Sequence, residues 1–308
     1  MNWTSDRPSG LVFNVERCAL EDGHGIRTVV FLKGCGLRCA WCANPESQAS
    51  HREILLNPNL CVQCGRCAAA CPRGAVQNLE GYGYITVNQD CGNCERCLDA
   101  CYANARKAMG EWMTPETLCK RLLRDKPYFE RSGGGITFSG GEPLLQIDFV
   151  EACAAILREE HIPVLVETCG HAPQSAVERC AAFAQDIYFD VKHMDDDVHR
   201  RWTGQGNQLI LSNLRWLSEH YEGLLSVRYP YIPGCNDDET AIRKFLAFCA
   251  TLPRIASIWF LPYHRLGNLK YAGLGRPYAM GDMPSRRSKD LEPLRAIAAE
   301  YGLTIHIA

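Results

Sequence analysis

The sequence predicts an α/β protein: an open, partial barrel of six β/α units (residues 1–51 and 112–308) interrupted by a small cysteine-rich insert over 52–111. Three observations predict it. Short apolar, β-rich runs recur along most of the chain. Amphipathic helical patterns separate them. One segment breaks this rhythm with a doubled cysteine pattern.

The strand runs are TVVFLKG (28–34), GITFSG (135–140), PVLVET (163–168), DIYFDVK (186–192), LSVRYPYI (225–232) and ASIWFLPY (256–263). Continuous apolar runs of this kind suit parallel strands covered by helices. Between them, Ile147, Val150, Ala154 and Leu157 share one helical face, as do Ile242, Phe245, Leu246 and Cys249. Thr114 before Pro115 is an N-cap and first-turn signal for a helix running through Leu123. Six units instead of eight predict an open barrel. In parallel β/α folds ligands gather at the C-terminal strand ends. Those ends carry KGCGLRC, SGGEP, ETCG and DVK, then Arg228 in the fifth strand and His264 after the sixth.

A formal net charge of −2 gives no nucleic-acid footprint. The polar start MNWTSDRPSG lacks a signal-peptide pattern, and no apolar run approaches the ~18 residues of a membrane span. A cytoplasmic protein that engages neither nucleic acid nor membrane is expected. Its 18 cysteines in 308 residues fall below the ~8–10 % of small disulfide scaffolds, and clustered cysteines in a reducing compartment read as metal ligands.

Eight of them form two copies of C-x2-C-x2-C-x3-C, CVQCGRCAAACP (61–72) and CGNCERCLDACY (91–102). This is the bacterial ferredoxin run, in which the fourth cysteine of each copy serves the other copy's cluster. The expected sets are Cys61, Cys64, Cys67 with Cys101, and Cys91, Cys94, Cys97 with Cys71. VQNLEGYGYITV between the runs reads as a hairpin. Two structural zinc sites are the alternative, though zinc sites usually use C-x2-C pairs. Cys153 and Cys249 fall on apolar helical stripes and read as small buried hydrophobes; Cys169 is left open by its neighbours. Three further cysteines, Cys35, Cys39 and Cys42, have the spacing C-x3-C-x2-C and lack a fourth partner.

The segments EDGHGIRTVVFLKGCGLRCAWCANPES, TFSGGEPLLQ, YFDVKHMD, RYPYIPGCND and LPYHRLGNLKY resemble the radical S-adenosylmethionine enzymes. Within that superfamily they resemble the activating enzymes of glycyl radical enzymes, and the insert is similar to that of the longer activases. The resemblance implies three [4Fe–4S] clusters. One is held by Cys35, Cys39 and Cys42, with the amino and carboxylate groups of S-adenosylmethionine on its remaining iron. It implies reductive cleavage to methionine and a 5′-deoxyadenosyl radical, which takes a hydrogen from a glycine in the C-terminal loop of a partner glycyl radical enzyme. A reductant such as flavodoxin or ferredoxin supplies the electron.

The same resemblance assigns Gly140, Gly141 and Glu142 to the methionine amino group, Arg228 to its carboxylate and His264 to the adenosine. It assigns Asp190 to a monovalent cation and Lys192 to the cofactor. Glu167, in place of a commoner Asp, and Thr168 are the other cation ligands it offers. Trp41 is placed either against the cluster or adenine, or as loop packing. His24 replaces the family's usual Pro, as a partner contact or simply as a tolerated turn residue. Two rival readings are a radical enzyme acting on a small molecule, with substrate on an auxiliary cluster, and a non-enzymatic iron–sulfur electron carrier. The second leaves the strand-end residues without a purpose.

Overall fold

A computed structural model describes residues 8–308. The chain forms β1 (Gly10–Ala19), β2 (Arg27–Leu32), β3 (Glu53–Leu56), β4 (Val76–Leu79), β5 (Gly83–Thr86), β6 (Arg106–Met109) and β7 (Glu111–Met113). These are followed by β8 (Gly135–Gly140), β9 (Val164–Thr168), β10 (Asp186–Asp190), β11 (Leu224–Tyr231), β12 (Ser257–Pro262) and β13 (His306–Ile307). Nine of these make one sheet in the order β13-β12-β11-β10-β9-β8-β2-β1-β7. Every pair from β2 to β13 is parallel. The sheet stays open, with β7 at one edge and β13 at the other.

The six predicted strands are β2 and β8 to β12. Sequence reading missed β1, β7 and β13. β1 pairs antiparallel with β2 through two register shifts, and Glu16, Arg17 and Cys18 in it are exposed, so it lacks the continuous apolar signature of a covered parallel strand.

Helices follow the predicted faces. Thr114 accepts from the Thr117 amide at the start of the helix Pro115–Leu122. Ile147–Glu159 buries Val150, Cys153, Ala154 and Leu157, and Glu239–Cys249 buries Ile242, Phe245, Leu246 and Cys249. The latter helix is anchored by an aromatic trio. Phe245 lies 4.5 Å from Tyr229 and edge-on at 5.7 Å to Phe260, joining the helix to β11 and β12 at a distance that aromatic pairs favour. Among the described residues no helix is long and apolar enough to cross a membrane.

Between β2 and β7 the chain leaves the sheet. β3 pairs antiparallel with β6, and β4 with β5 in the predicted hairpin. The cysteine runs lie on either side of that hairpin. Their backbones repeat position for position: Gln63 and Asn93, Gly65 and Glu95, and Gly74 and Asn104 all adopt left-handed φ. The apolar contacts here are two small satellites, Ile54 with Val76, Cys67 and Cys97, and Leu56 with Ile85 and Ala105.

Phe245→Ala removes the central ring of the trio from a site with no solvent exposure. The expected loss is about 3–5 kcal/mol, read as a lower denaturation midpoint. Leu224→Ala, at an exposed strand start, is expected to change stability by less than ~0.5 kcal/mol.

Candidate active site

The C-terminal ends of the parallel strands surround a cavity of about 330 Å3, within the ~300–1,000 Å3 typical of ligand pockets. Cys35, Cys39, Trp41 and Cys42 form one wall. Their loop is fixed by backbone bonds: Gly34 N to Ser47 O (2.6 Å), Arg38 N to Thr203 O (2.6 Å) and Ala40 N to Trp202 O (3.0 Å). All three thiols are free of disulfides. Burial pushes Cys39 up to about 12 and Cys42 up to about 11. Thiolates are the ligand form, so metal loading here must release protons. A hydrogen bond from the neighbouring Cys169 lowers Cys35.

The second wall is the turn after β8, and it is pressed against the start of the cysteine loop. Gly141 N donates to Leu32 O and Glu142 N to Gly34 O, both at 2.8 Å. A Cβ at Gly140 (φ +105) would stand 2.4 Å from Leu32 N, and one at Gly141 would stand 2.2 Å from Gly34 O. Both glycines line the cavity, but backbone packing already requires them.

Glu142 departs from its expected place. It is fully buried and is not among the cavity's lining residues. One carboxylate oxygen accepts from Thr168 Oγ1 (2.6 Å) and Leu144 N (3.1 Å). The other accepts from Cys169 N (2.9 Å) and Cys169 Sγ (3.0 Å). It therefore braces the end of β9. Thr168 and Cys169 do line the cavity; sequence reading left Cys169 open, and its place directly after Glu167 and Thr168 at a strand end was the available signal.

The floor is charged. Arg228 Nε donates to Asp190 Oδ1 at 2.7 Å and Arg228 Nη1 to Glu167 Oε1 at 2.5 Å. Lys192 reaches Asp190 Oδ2 at 3.2 Å, and Ser139 Oγ donates to Glu167 Oε2 at 2.6 Å. Burial acts to raise the Asp190 carboxyl, but Arg228 and Lys192 outweigh it and hold it below the usual range. Burial disfavours the charged forms of Arg228 and Lys192, yet their carboxylate neighbours raise both above their ordinary values. The carboxylates that the resemblance offers to a monovalent cation are thus satisfied by protein cations. Among the described residues, no three His, Cys, Asp or Glu side chains converge on a single-ion site.

His264 lines the cavity and is exposed. His24 lies elsewhere. It packs beside Gly133, ahead of β2 and β8, in a turn where Gly23 and Gly25 take positive φ. That is the opposite end of these strands from Cys35.

In the insert, Cys61, Cys64, Cys67 and Cys101 line one small cavity. Cys71, Cys91, Cys94 and Cys97 line a second. Buried charges join the insert to the cysteine loop. Glu53 on β3 accepts from Lys33, two residues before Cys35, at 3.1 Å and also pairs with Arg276. Lys270 pairs with Glu46 at 2.8 Å, and the neighbouring Tyr271 hydroxyl reaches Cys39 O at 3.4 Å.

Comparison with known proteins places this geometry. Residues 95–246 match the radical SAM superfamily, a match that begins beyond the Cys35–Cys42 loop, and residues 54–77 match the 4Fe–4S binding domain. The chain is 40 % identical over 283 residues to an isethionate sulfite-lyase activating enzyme of Desulfovibrio desulfuricans, covering 90 % of each chain. It is 41 % identical over 278 residues to a (2S)-3-sulfopropanediol sulfolyase activating enzyme of Bilophila wadsworthia, covering 88 % of this chain and 91 % of that one. A radical SAM methyltransferase structure from Sphaerobacter thermophilus shares the fold alone, with a TM-score of 0.55 at 13 % identity over 98 % of this chain and 77 % of that one. The chain belongs to the radical S-adenosylmethionine activating enzymes, which cleave S-adenosylmethionine to a 5′-deoxyadenosyl radical and install a glycyl radical on a partner enzyme.

Proposed function

We propose that the protein holds three [4Fe–4S] clusters and that only the one on Cys35, Cys39 and Cys42 binds S-adenosylmethionine. The observation that carries this reading is the difference between the thiol sets. Three free thiols face a cavity roomy enough for a ligand, whereas four thiols surround each small insert cavity. An open coordination position belongs to a catalytic metal site and a closed one to a structural or carrier site.

The residues fit the cofactor's functional groups. The backbone of Gly140 and Gly141 faces the methionine ammonium, while Glu142 fixes the shape of that wall from behind. Arg228 has Nε and Nη1 occupied by carboxylates, leaving Nη2 for the methionine carboxylate in a charge-assisted bond. Lys192 contacts the cofactor beside Asp190, which needs no added cation. His264 and Trp41 flank the adenosine. The cluster and cofactor supply the radical chemistry; the protein binds, orients and excludes water.

The partner is a glycyl radical enzyme, engaged through its glycyl loop in the reducing cytoplasm. The insert, residues 52–111, is a two-cluster electron relay fed by a reductant such as flavodoxin or ferredoxin. Its fully ligated irons leave none open to a small-molecule substrate. A carrier alone would have no use for the strand-end cavity.

Anaerobic reconstitution is expected to give about twelve irons per chain, from three four-iron clusters. A reproducible value near four, or stoichiometric zinc, would sink the insert assignment.

Cys39→Ala is expected to abolish 5′-deoxyadenosine production while leaving about eight irons, from two four-iron insert clusters. Full 5′-deoxyadenosine production by this variant would refute the site.

Cys94→Ala is expected to slow activation by a protein reductant more than activation by a small, strong chemical reductant that reaches the active cluster directly. Circular dichroism and partner binding on the same variant check folding. Equal loss with both reductants in the folded variant favours a docking role for the insert.

A further inference from the structure

The two cysteine runs repeat closely, but the five residues following them differ at four positions, of which only one is buried in both halves. Cys71 is followed by Pro72–Arg73–Gly74–Ala75–Val76, and Cys101 by Tyr102–Ala103–Asn104–Ala105–Arg106. Ala75 and Ala105 correspond and are both buried. The next pair is Val76 against Arg106. Both are buried, at 7 % and 6 % exposure, so an apolar residue in one half is replaced by a cation in the other.

Arg106 opens β6, opposite Leu56 of β3. Its guanidinium donates to Tyr84 O and Thr86 Oγ1. Nη1 also reaches Cys67 Sγ at 3.7 Å, and the guanidinium acts to lower the Cys97 thiol against the burial that raises it. Cys67 belongs to the first insert cavity and Cys97 to the second. Nε is buried without a partner. Among the described residues no carboxylate pairs with Arg106, nor with the buried Arg27, whereas the buried Lys33 pairs with Glu53. A buried charge costs several kcal/mol unless it is compensated. The neutral groups around Arg106 satisfy hydrogen bonds but do not balance its charge.

We infer that Arg106, in contact with the Cys67 sulfur, is the shared counter-cation of two anionic iron–sulfur clusters and raises both reduction potentials. This rests on the three-cluster reading above. A [4Fe–4S] core with four thiolates carries net negative charge, and nearby cations and hydrogen bonds to sulfur are among the features that set its potential. A guanidinium stabilises the more negative, reduced state of each cluster more than the oxidised state. Arg106 lines the first cavity, while Val76, with neither charge nor donor, holds the matching place at the second, whose own cation, Arg73, is exposed; the buried charge of Arg106 therefore serves both. Arg106 is a positioning and tuning residue for electron delivery and touches no substrate.

The test uses the full chain carrying Cys39→Ala, so that only insert clusters contribute. Iron content and spectroscopically monitored redox titrations are compared for Arg106, Arg106→Lys, Arg106→Gln and Arg106→Met. The expected result is that Arg106→Met and Arg106→Gln move both couples to more negative potential, with Arg106→Lys closer to the parent. Unchanged potentials in a cluster-loaded Arg106→Met or Arg106→Gln protein overturn the inference. If the neutral variants lose iron instead, retention in Arg106→Lys supports the counter-charge role, and equal loss in Arg106→Lys overturns it. Absence of insert iron in the parent is a separate outcome: it removes the three-cluster reading itself and the inference with it.

Discussion

The close contact between the end of β2 and the turn after β8 governs the rest of the site. Two backbone bonds, Gly141 N to Leu32 O and Glu142 N to Gly34 O, lock the turn to the base of the cysteine loop. Side chains at 140 and 141 would break that contact. Because the turn is held there, the Glu142 carboxylate reaches β9 and collects four hydrogen bonds from Leu144, Thr168 and Cys169. Cys169 in turn meets Cys35. Three consecutive parallel strands are thereby tied together at the place where the thiols must be held.

Charge balance is the second organising constraint. Arg228 stands between Asp190 and Glu167, with Lys192 beside them, so the floor of the cavity offers positive groups without an isolated buried ion. On the insert side, Glu53 draws Lys33 and Arg276 together. Lys33 sits next to Gly34, so the position of the insert and the position of the cysteine loop are mechanically coupled. Buried pairs of this kind add little net stability but fix geometry, since breaking one leaves an uncompensated charge.

The insert has too little apolar surface for an independent core of ordinary size; its satellites are a handful of residues, cysteines among them. Segments of this kind depend on metal binding for their stability. Arg106, buried without a carboxylate, adds a charge that the neutral groups around it do not balance.

The sequence by itself determined the six parallel strands, the faces of the helices at 147–159 and 239–249, the hairpin and which insert cysteines line each small cavity. Each follows from local period or spacing, which needs no knowledge of distant contacts. The placement of functional residues at strand ends was legible for the same reason: a parallel β/α chain puts every such end on one side. Only tertiary structure decided that Glu142 turns away from the cavity toward Thr168 and Cys169, that Arg228 is shared by two carboxylates, that His24 lies at the far end of the strands, and that β1 and β7 extend the sheet. These depend on partners far along the chain and on desolvation, which fixes where a charged side chain can be compensated. A sequence names such residues but cannot say which of them will meet.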